Sequence, residues 1–407
     1  MKFKNPFQRQ KNSQKTNNPG ENQNNKPATN NPGGDPHAPP DNASSNQVLH
    51  RKTLRQALAT VHDPIIDKPY GEAIEIKLPA ETPENIGVTL RYPVGDFLST
   101  ERENIQQALT KIAPRAHMAH FGTVVRPHKV QRDIAPVDNI KNIIAVASGK
   151  GGVGKSTVTV MLAKSLQALG ARVGILDADI YGPSMPRMLG DHGKPASPDN
   201  KSFLPVDADG IQNMSLGYMM DEASPAIWRG AMVSRALMQM MNETRWDNLD
   251  YLLIDLPPGT GDIQLTLVQK IPVTAAVIVT TPQDIALIDA QRAWAMFEKV
   301  QVPVLGVIEN MSTFICPHCG HEEHIFGQGA AETMARKFQA PILGRLPLNI
   351  AIREHMDAGQ PEHLWKAPKD KTLAESGQKI ALNTAHALAQ LPVDLNRNNP
   401  LTLKKTF

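Results

Sequence analysis

Only two cysteines occur in 407 residues, Cys316 and Cys319, and that scarcity excludes a secreted scaffold stapled by disulfides. No stretch approaches the about 18 uninterrupted apolar residues that a membrane span needs. The basic opening MKFKNPFQRQ is followed by no apolar run of the signal-peptide kind. A cytoplasmic location is the expectation. Positive charge is also missing where a nucleic-acid face would need it. The net charge of +3 sits in residues 1–50, with six Lys or Arg against three Asp or Glu, and the remainder balances to zero. Neither nucleic acid nor membrane is expected as a partner.

Residues 8–47 lack Val, Ile, Leu, Met, Phe, Trp, Tyr and Cys altogether. Such a segment cannot bury enough surface to offset its ordering entropy, so 1–47 is read as a disordered Asn/Pro-rich tail. Over 48–127 the patterns are those of a small α+β domain. VLHRKTLRQALATV has helical spacing, AIEIKL and NIGVTLRY alternate as strands, and HMAHFGTVV offers a last strand. TERENIQQALTKI opens with a capping box of Thr100 and Glu103. QRDIAPVDNIK falls within a linker spanning 128–141.

From Asn142 to about residue 395 the pattern changes. IIAVAS, RVGILDAD, YLLIDLPP, AAVIVTTP, VLGVIEN and ILGRLPL are short apolar runs of the kind buried on both faces of a parallel sheet. Helical stretches lie between most of them, which predicts right-handed crossovers and a doubly wound α/β domain with a mainly parallel sheet. Residues 396–407 form a C-terminal tail.

The chemistry begins directly after the first of these strands. Gly149–Ser156 spells G-x-x-x-x-G-K-S at a strand-to-helix turn. Glycines there let main-chain N–H groups converge on phosphate oxygens, aided by the helix N-terminus. The loop Gly149, Lys150, Gly151, Gly152, Val153, Gly154, Lys155, Ser156, Thr157 is therefore assigned to ATP. Lys155 is expected on the β- and γ-phosphates and the Ser156 hydroxyl on Mg2+. Asp177 and Asp179 follow another apolar strand, where open parallel sheets bind ligands. One is expected to position the attacking water and the other to support Mg2+ through its water shell, in an order that spacing leaves open. Asp255 ends YLLID, the place for the acid beside Mg2+. Beyond it PPGTGD looks like a switch loop sensing the γ-phosphate.

Cys316 and Cys319 stand in CPHCG, in a loop leaving a central strand. Four readings compete. An intrachain zinc site would recruit His318, His321 or His324, but lacks the about 12-residue spacer of zinc fingers. A redox pair wants a helix immediately after it, and GHEEH is a poor one. A structural knuckle is the third. In the fourth, a twofold dimer doubles the ligands to four thiolates, the set that suits a 4Fe-4S cluster, or zinc in its place.

The K-G-G-x-G-K-S form of the loop resembles the deviant phosphate loop of the MinD, ParA and nitrogenase-reductase class. That resemblance implies that Lys150 reaches across a homodimer to the other subunit's nucleotide, supplying charge as an arginine finger does. Related ATPases place an asparagine at the end of VIEN on adenine, which assigns Asn310 to the base. Taken with DADIYGPSMPRMLG, AIWRGAMVSRAL, DLPPGTGD, VTTPQDIALIDAQRA and LGRLPLNIAIREHMDAGQP, residues 142–361 resemble the Mrp/ApbC family of iron–sulfur cluster carrier ATPases. The resemblance implies an ATPase with Mg2+ and a 4Fe-4S cluster held between two subunits by Cys316 and Cys319. Its implied partners are apo iron–sulfur proteins and cluster assembly factors. Residues 48–127 resemble the MIP-type small domain that often precedes this ATPase, ALATVHDPIIDKP fitting its opening. LRYPVGDFLS lacks the cysteine common there, which favours a docking role.

Three other functions compete. A MinD- or ParA-like spatial-organisation ATPase needs a basic amphipathic C-terminal helix or a basic face, and LNRNNPLTLKKTF is too short and polar. An electron-passing enzyme like nitrogenase reductase shares the loop but uses widely separated single cysteines. An ATP-stabilised zinc or metal-binding scaffold is the nonenzymatic alternative.

Overall fold

The computed structural model describes residues 51–79, 84–131, 134–179, 182–190, 193–218, 230–316, 318–366 and 371–397. The Asn/Pro-rich tail and the end of the C-terminal tail lie outside them, and the described residues belong to one compact unit. Elements are numbered along the chain. The first are α1 (Arg51–Ala59), β1 (Ile74–Lys77), β2 (Asn85–Leu90), α2 (Leu98–Ile112) and β3 (His117–Thr123). Next come β4 (Ile140–Ala147), α3 (Lys155–Ala168), β5 (Val173–Asp177), β6 (Val206–Ala208), β7 (Ile211–Ser215), α4 (Gly230–Glu243) and β8 (Leu249–Asp255). Then follow α5 (Asp262–Lys270), β9 (Ala275–Thr280), α6 (Asp284–Lys299), β10 (Val304–Glu309), β11 (Phe314–Ile315) and β12 (Glu322–Glu323). The last are α7 (Ala330–Phe338), β13 (Ile342–Arg345), α8 (Ile350–Asp357) and α9 (Lys371–Ala389).

An eight-stranded sheet runs in the order β13-β10-β9-β4-β8-β5-β7-β6. Every neighbouring pair is parallel except β6 with β7. This is the doubly wound α/β sheet that the apolar runs predict. All seven residues of β8 and all six of β9 are buried, because helices cover both faces and neither face can be polar. The sequence reading overlooked the β6–β7 hairpin. Its turn carries Asp209 at φ 51° and Gly210 at φ 78°, and an Asp-Gly pair between alternating residues was its signal.

Strand order reverses around β4, whose neighbours β8 and β9 are wound in opposite directions. The crevice beyond the carboxyl end of β4 is where such sheets bind ligands. Helix α3 starts there and is buried nearly all round, since the sheet covers one side and α9 the other. The two helices meet closely at Gly377, where a Cβ would stand 2.6 Å from Ser165 Oγ. At the solvent face, α6 begins with Asp284 and ends with Lys299, each matched to the partial charge of its helix end.

Residues 51–123 build a second, three-stranded sheet in the order β1-β2-β3, β1 antiparallel and β3 parallel to β2. Helices α1 and α2 turn Leu54, Leu58, Ile105 and Leu109 onto Ile74, Ile76, Ile86, Val88 and Leu90. One expectation is corrected here. Helix α2 begins at Leu98, continuing a 3-10 turn over Gly95–Phe97, and no side chain caps it. Thr100 and Glu103 therefore lie inside the helix and form no capping box.

This small sheet is keyed to the large one at two points. Gly95, at φ 50°, presses on the end of α3, where a Cβ would stand 2.9 Å from Ala168 O. At the end of α9, Gln390 Nε2 donates to Tyr70 O at 2.9 Å, and Glu72 N donates to Gln390 Oε1 at 2.7 Å. Tyr92 O–H donates to buried Asp63 at 2.6 Å, and Tyr70 O–H donates to buried Glu101. Burial, then the charge of Asp63, pushes the Glu101 carboxyl up from 4.5 to about 8. A folded-state value above the unfolded one means that stability is lost as pH rises through that window. Glu101→Gln keeps an acceptor for Tyr70 and removes the titration. The wild-type urea midpoint should fall between about pH 4.5 and 8 while the variant's stays flatter, and parallel curves would refute the assignment.

Candidate functional site

The loop after β4 is shaped by three glycines, each for a different reason. Gly152 (φ 82°) and Gly154 (φ 77°, the cap of α3) occupy left-handed conformations that cost other residues energy. Gly149 is demanded by space, because a Cβ there would lie 2.0 Å from Asp289 O on α6. Asn310, at the end of β10, donates from Nδ2 to Val153 O at 2.9 Å. Gly259 N, in the PPGTGD loop, donates to Ser148 O at 3.0 Å. The loop is thus held from three sides by main chain and one buried amide. Between it and the residues after β5 lies a cavity of about 200 Å³, whose walls include Lys150, Lys155, Asp179, Ser184 and Pro258.

Asp255 occupies the centre. It is fully buried at the end of β8 and receives Ser156 Oγ at 2.6 Å and Thr159 Oγ1 at 2.7 Å. Lys155 Nζ stands 2.7 Å from Oδ2. That ion pair is out of hydrogen-bond alignment, so the buried ammonium has donors with no acceptor. A buried cation with unsatisfied donors beside a polar cavity suits a phosphate, whose oxygens would complete it. Sequence reading missed Thr159. It lies one helical turn after Lys155 and hence on the same face of α3.

The two aspartates after β5 are separated by the fold. Asp177 is 0% exposed and accepts from Asp179 N (3.0 Å), Met185 N (3.3 Å) and Ser215 Oγ (2.9 Å). Burial, then the charge of Asp255, pushes its carboxyl up to about 7. Asp177 does not line the cavity, whereas Asp179 does, with Oδ2 at 3.8 Å from Lys155 Nζ. Ser215, contributed by the overlooked hairpin strand β7, was also missed.

The loop after Asn310 carries the cysteines. Met311, at φ 54°, turns the chain, and β11 and β12 pair antiparallel as a short hairpin. Cys316 and Cys319 lie at its tip, closed by Cys316 N to His321 O and Gly320 N to Cys316 O, both 2.9 Å. Gly320 takes φ 70°. Main-chain N–H groups of Cys319 and His318 point at the Cys316 sulfur and hold its thiol below the ordinary value. Cys316 is half-buried and Cys319 exposed. His324 Nδ1 lies 3.2 Å from Ser312 O, at the base of the loop. Among the described residues no three His, Cys, Asp or Glu side chains gather as a metal site. No helix among them is long and apolar enough to cross a membrane.

The profile of a family described as ParA, NUBPL iron-transfer P-loop NTPase, matches residues 139–385. Over 226 residues the chain is 64% identical to the iron-sulfur cluster carrier protein of Haemophilus influenzae, covering 55% of this chain and 61% of that protein. It thus spans less than two thirds of that relative's length. A cluster carrier protein of Deinococcus radiodurans is 39% identical over 352 residues, covering 84% of this chain and 98% of its own. Among solved structures, the nucleotide-binding protein of Archaeoglobus fulgidus in complex with ADP is similar with a TM-score of 0.50. Its identity is 40%, over 55% of this chain and 89% of that one.

The Lys155–Asp255 pair yields a stability prediction that needs no ligand. Lys155→Met removes the cation and leaves Asp255 and Asp177 buried with their hydrogen bonds but without a counter-charge. The apo protein should lose about 3 kcal/mol in urea unfolding, the loss expected for breaking a buried pair. A variant as stable as the parent would show the ammonium to be dispensable there.

Proposed function

The chain belongs to the ParA/NUBPL iron-transfer P-loop NTPase family, and from that premise we propose that it hydrolyses ATP and carries an iron–sulfur cluster as cargo between two copies of itself. Main-chain N–H groups of Gly149–Thr157 and the Lys155 ammonium bind the β- and γ-phosphates. Ser156 and Asp255 hold Mg2+, which when bound neutralises charge on the phosphates. Asn310 spends its Nδ2 on Val153 O, so Oδ1 is the side of the amide that faces a donor, the type adenine's amino group offers.

The burial difference supports one order of the aspartates. Asp179, on the cavity wall, orients the attacking water. Asp177, wrapped by two N–H groups and the Ser215 hydroxyl, fixes the main chain that presents Asp179. Lys150 is exposed at the cavity's edge and serves the nucleotide of the second copy, stabilising charge on the γ-phosphoryl as water attacks and ADP leaves. Loss of phosphate is read by the PPGTGD loop through its Gly259 bond to Ser148.

Each chain offers two thiols at a hairpin tip, so two copies offer the four that a 4Fe-4S cluster takes. One contact carries this proposal: the amide that braces the phosphate loop, Asn310, lies six residues before Cys316 on the same strand exit. Nucleotide occupancy and the cysteine hairpin thereby share one piece of chain. Apo iron–sulfur proteins are the recipients and cluster assembly factors the donors.

Anaerobic reconstitution tests this. About four iron and four sulfide should be found per dimer, and Cys316→Ala should lose them while ATP binding persists. Iron retained by Cys316→Ala overturns the cluster assignment, and colourless zinc-loaded protein supports the scaffold instead. Lys155→Ala should lose nucleotide affinity, whereas Lys150→Ala should bind ATP and lose about a thousandfold in turnover. Full turnover by the Lys150 variant would remove its role in trans.

A further inference from the structure

A second concave region lies at the opposite end of the large sheet. Ile140 and Leu249, the first residues of β4 and β8, and Arg172, just before β5, form part of its wall. The length of β4 alone, about 23 Å at a strand's rise per residue, separates it from the phosphate loop. It consists of two adjoining cavities of about 370 and 600 Å³, which share Val124, Val125, Lys141 and Arg172. One side is the small sheet and its exit segment, and the other is the amino-terminal edge of the large sheet.

Two features of this groove are independent of each other. The first is charge. Among the described residues Arg126, Lys141, Arg172 and Arg397 line it against Asp138 and Asp250, and Arg126 is taken up by Glu75 at 2.8 Å, which leaves Lys141, Arg172 and Arg397 for a ligand. Lys141 Nζ and Arg172 Nε share the single Asp250 carboxylate, at 2.7 and 3.6 Å. Arg172 is 54% exposed, and among the described residues that long contact is its one side-chain partner, which leaves the rest of its fork of donors for a ligand. Arg397 is held by the carbonyls of Val137, Ile140 and Lys141, with no carboxylate at ion-pair distance among the described residues. The second feature is main chain. Strand β3 is an edge strand, paired on one side only. Its continuation enters the groove, where Val124 N bonds back to Leu90 O at 2.8 Å. The next residue, Val125, has neither its N–H nor its C=O bonded within the described protein, although it is 8% exposed.

An edge segment with open hydrogen-bonding groups, flanked by underused cations, is built for a strand that brings carboxylates. We propose that this junction groove binds an extended acidic segment of a partner protein, pairing its main chain with Val125 and its carboxylates with Arg172, Lys141 and Arg397. The chain's own ends have the wrong sign. Residues 1–50 carry a surplus of three positive charges, and residues 398–407 carry two lysines and no acid. Nucleic acid is disfavoured because Asp138 and Asp250 would face its phosphates and, among the described residues, no aromatic side chain lines the groove for stacking. The proposal stands apart from the nucleotide and cysteine chemistry.

The test uses full-length protein and fluorescein-labelled eight-residue peptides with Asp or Glu at alternate positions, beside Lys and Gln counterparts. Acidic peptides should bind in the micromolar range, more weakly as salt rises, while Lys and Gln peptides do not. Arg172→Glu, a change at a half-exposed side chain, should weaken binding by roughly tenfold or more. Exchange of the Val125 amide should slow when peptide is bound. No binding at about 1 mM peptide, equal binding by the Lys peptide, or unchanged affinity in Arg172→Glu overturns the proposal. So does a single-stranded oligonucleotide that binds as tightly as the acidic peptide. Binding without protection of Val125 overturns the strand pairing.

Discussion

One buried carboxylate organises the phosphate-loop half of this molecule. Asp255 ends the central strand β8 and draws in Lys155, Ser156 and Thr159 from the first turns of α3. A bare carboxylate at that depth would be costly, and those three donors offset the cost only while α3 starts where it does. The start of α3 is in turn dictated by a loop that must pass under α6 at Gly149 and turn left-handed at Gly154. Strand, loop and helix are therefore specified together, and the cavity is what their packing leaves open. Asp177 belongs to the same arrangement from the other side, kept from ionising freely by burial and by the charge of Asp255.

The small sheet contributes differently. Its polar interior, with Asp63, Tyr70, Tyr92 and Glu101, faces the end of α9, where His386 stacks edge-on against Tyr92 at 5.4 Å. Burial pulls the His386 imidazole below its ordinary value, and its Nε2 lies 3.0 Å from Pro69 O. Polar contacts of this kind specify one docking geometry rather than merely adding attraction. They register the two sheets to each other.

How much could be read from sequence depended on how local the determining physics was. The six apolar runs were legible because strands buried on both faces leave no choice of residue, and the phosphate loop because its glycines, lysine and serine act within eight positions. The β6–β7 hairpin was not. Its strands are short and half polar, as suits a sheet edge, and only the Asp209–Gly210 turn announced it. Thr100 and Glu103 had the right spacing for a cap, but the preceding 3-10 turn carried the helix start back to Leu98. In the candidate site, Thr159 and Ser215 were invisible because each acts through a partner nearly 40 or 100 residues away. Asp177 and Asp179 were indistinguishable in sequence. Depth in the fold separates them.

Helix α3 touches both ends of the large sheet. Its first residue is Lys155, and the two residues after its end, Leu169 and Gly170, line the smaller junction cavity beside Gly95. Its 14 residues form a rod of about 21 Å, clad on both sides and with little room to bend. Such a strut transmits displacement rather than absorbing it. A shift along its axis at the phosphate end is felt, undiminished, where the small sheet rests on the large one.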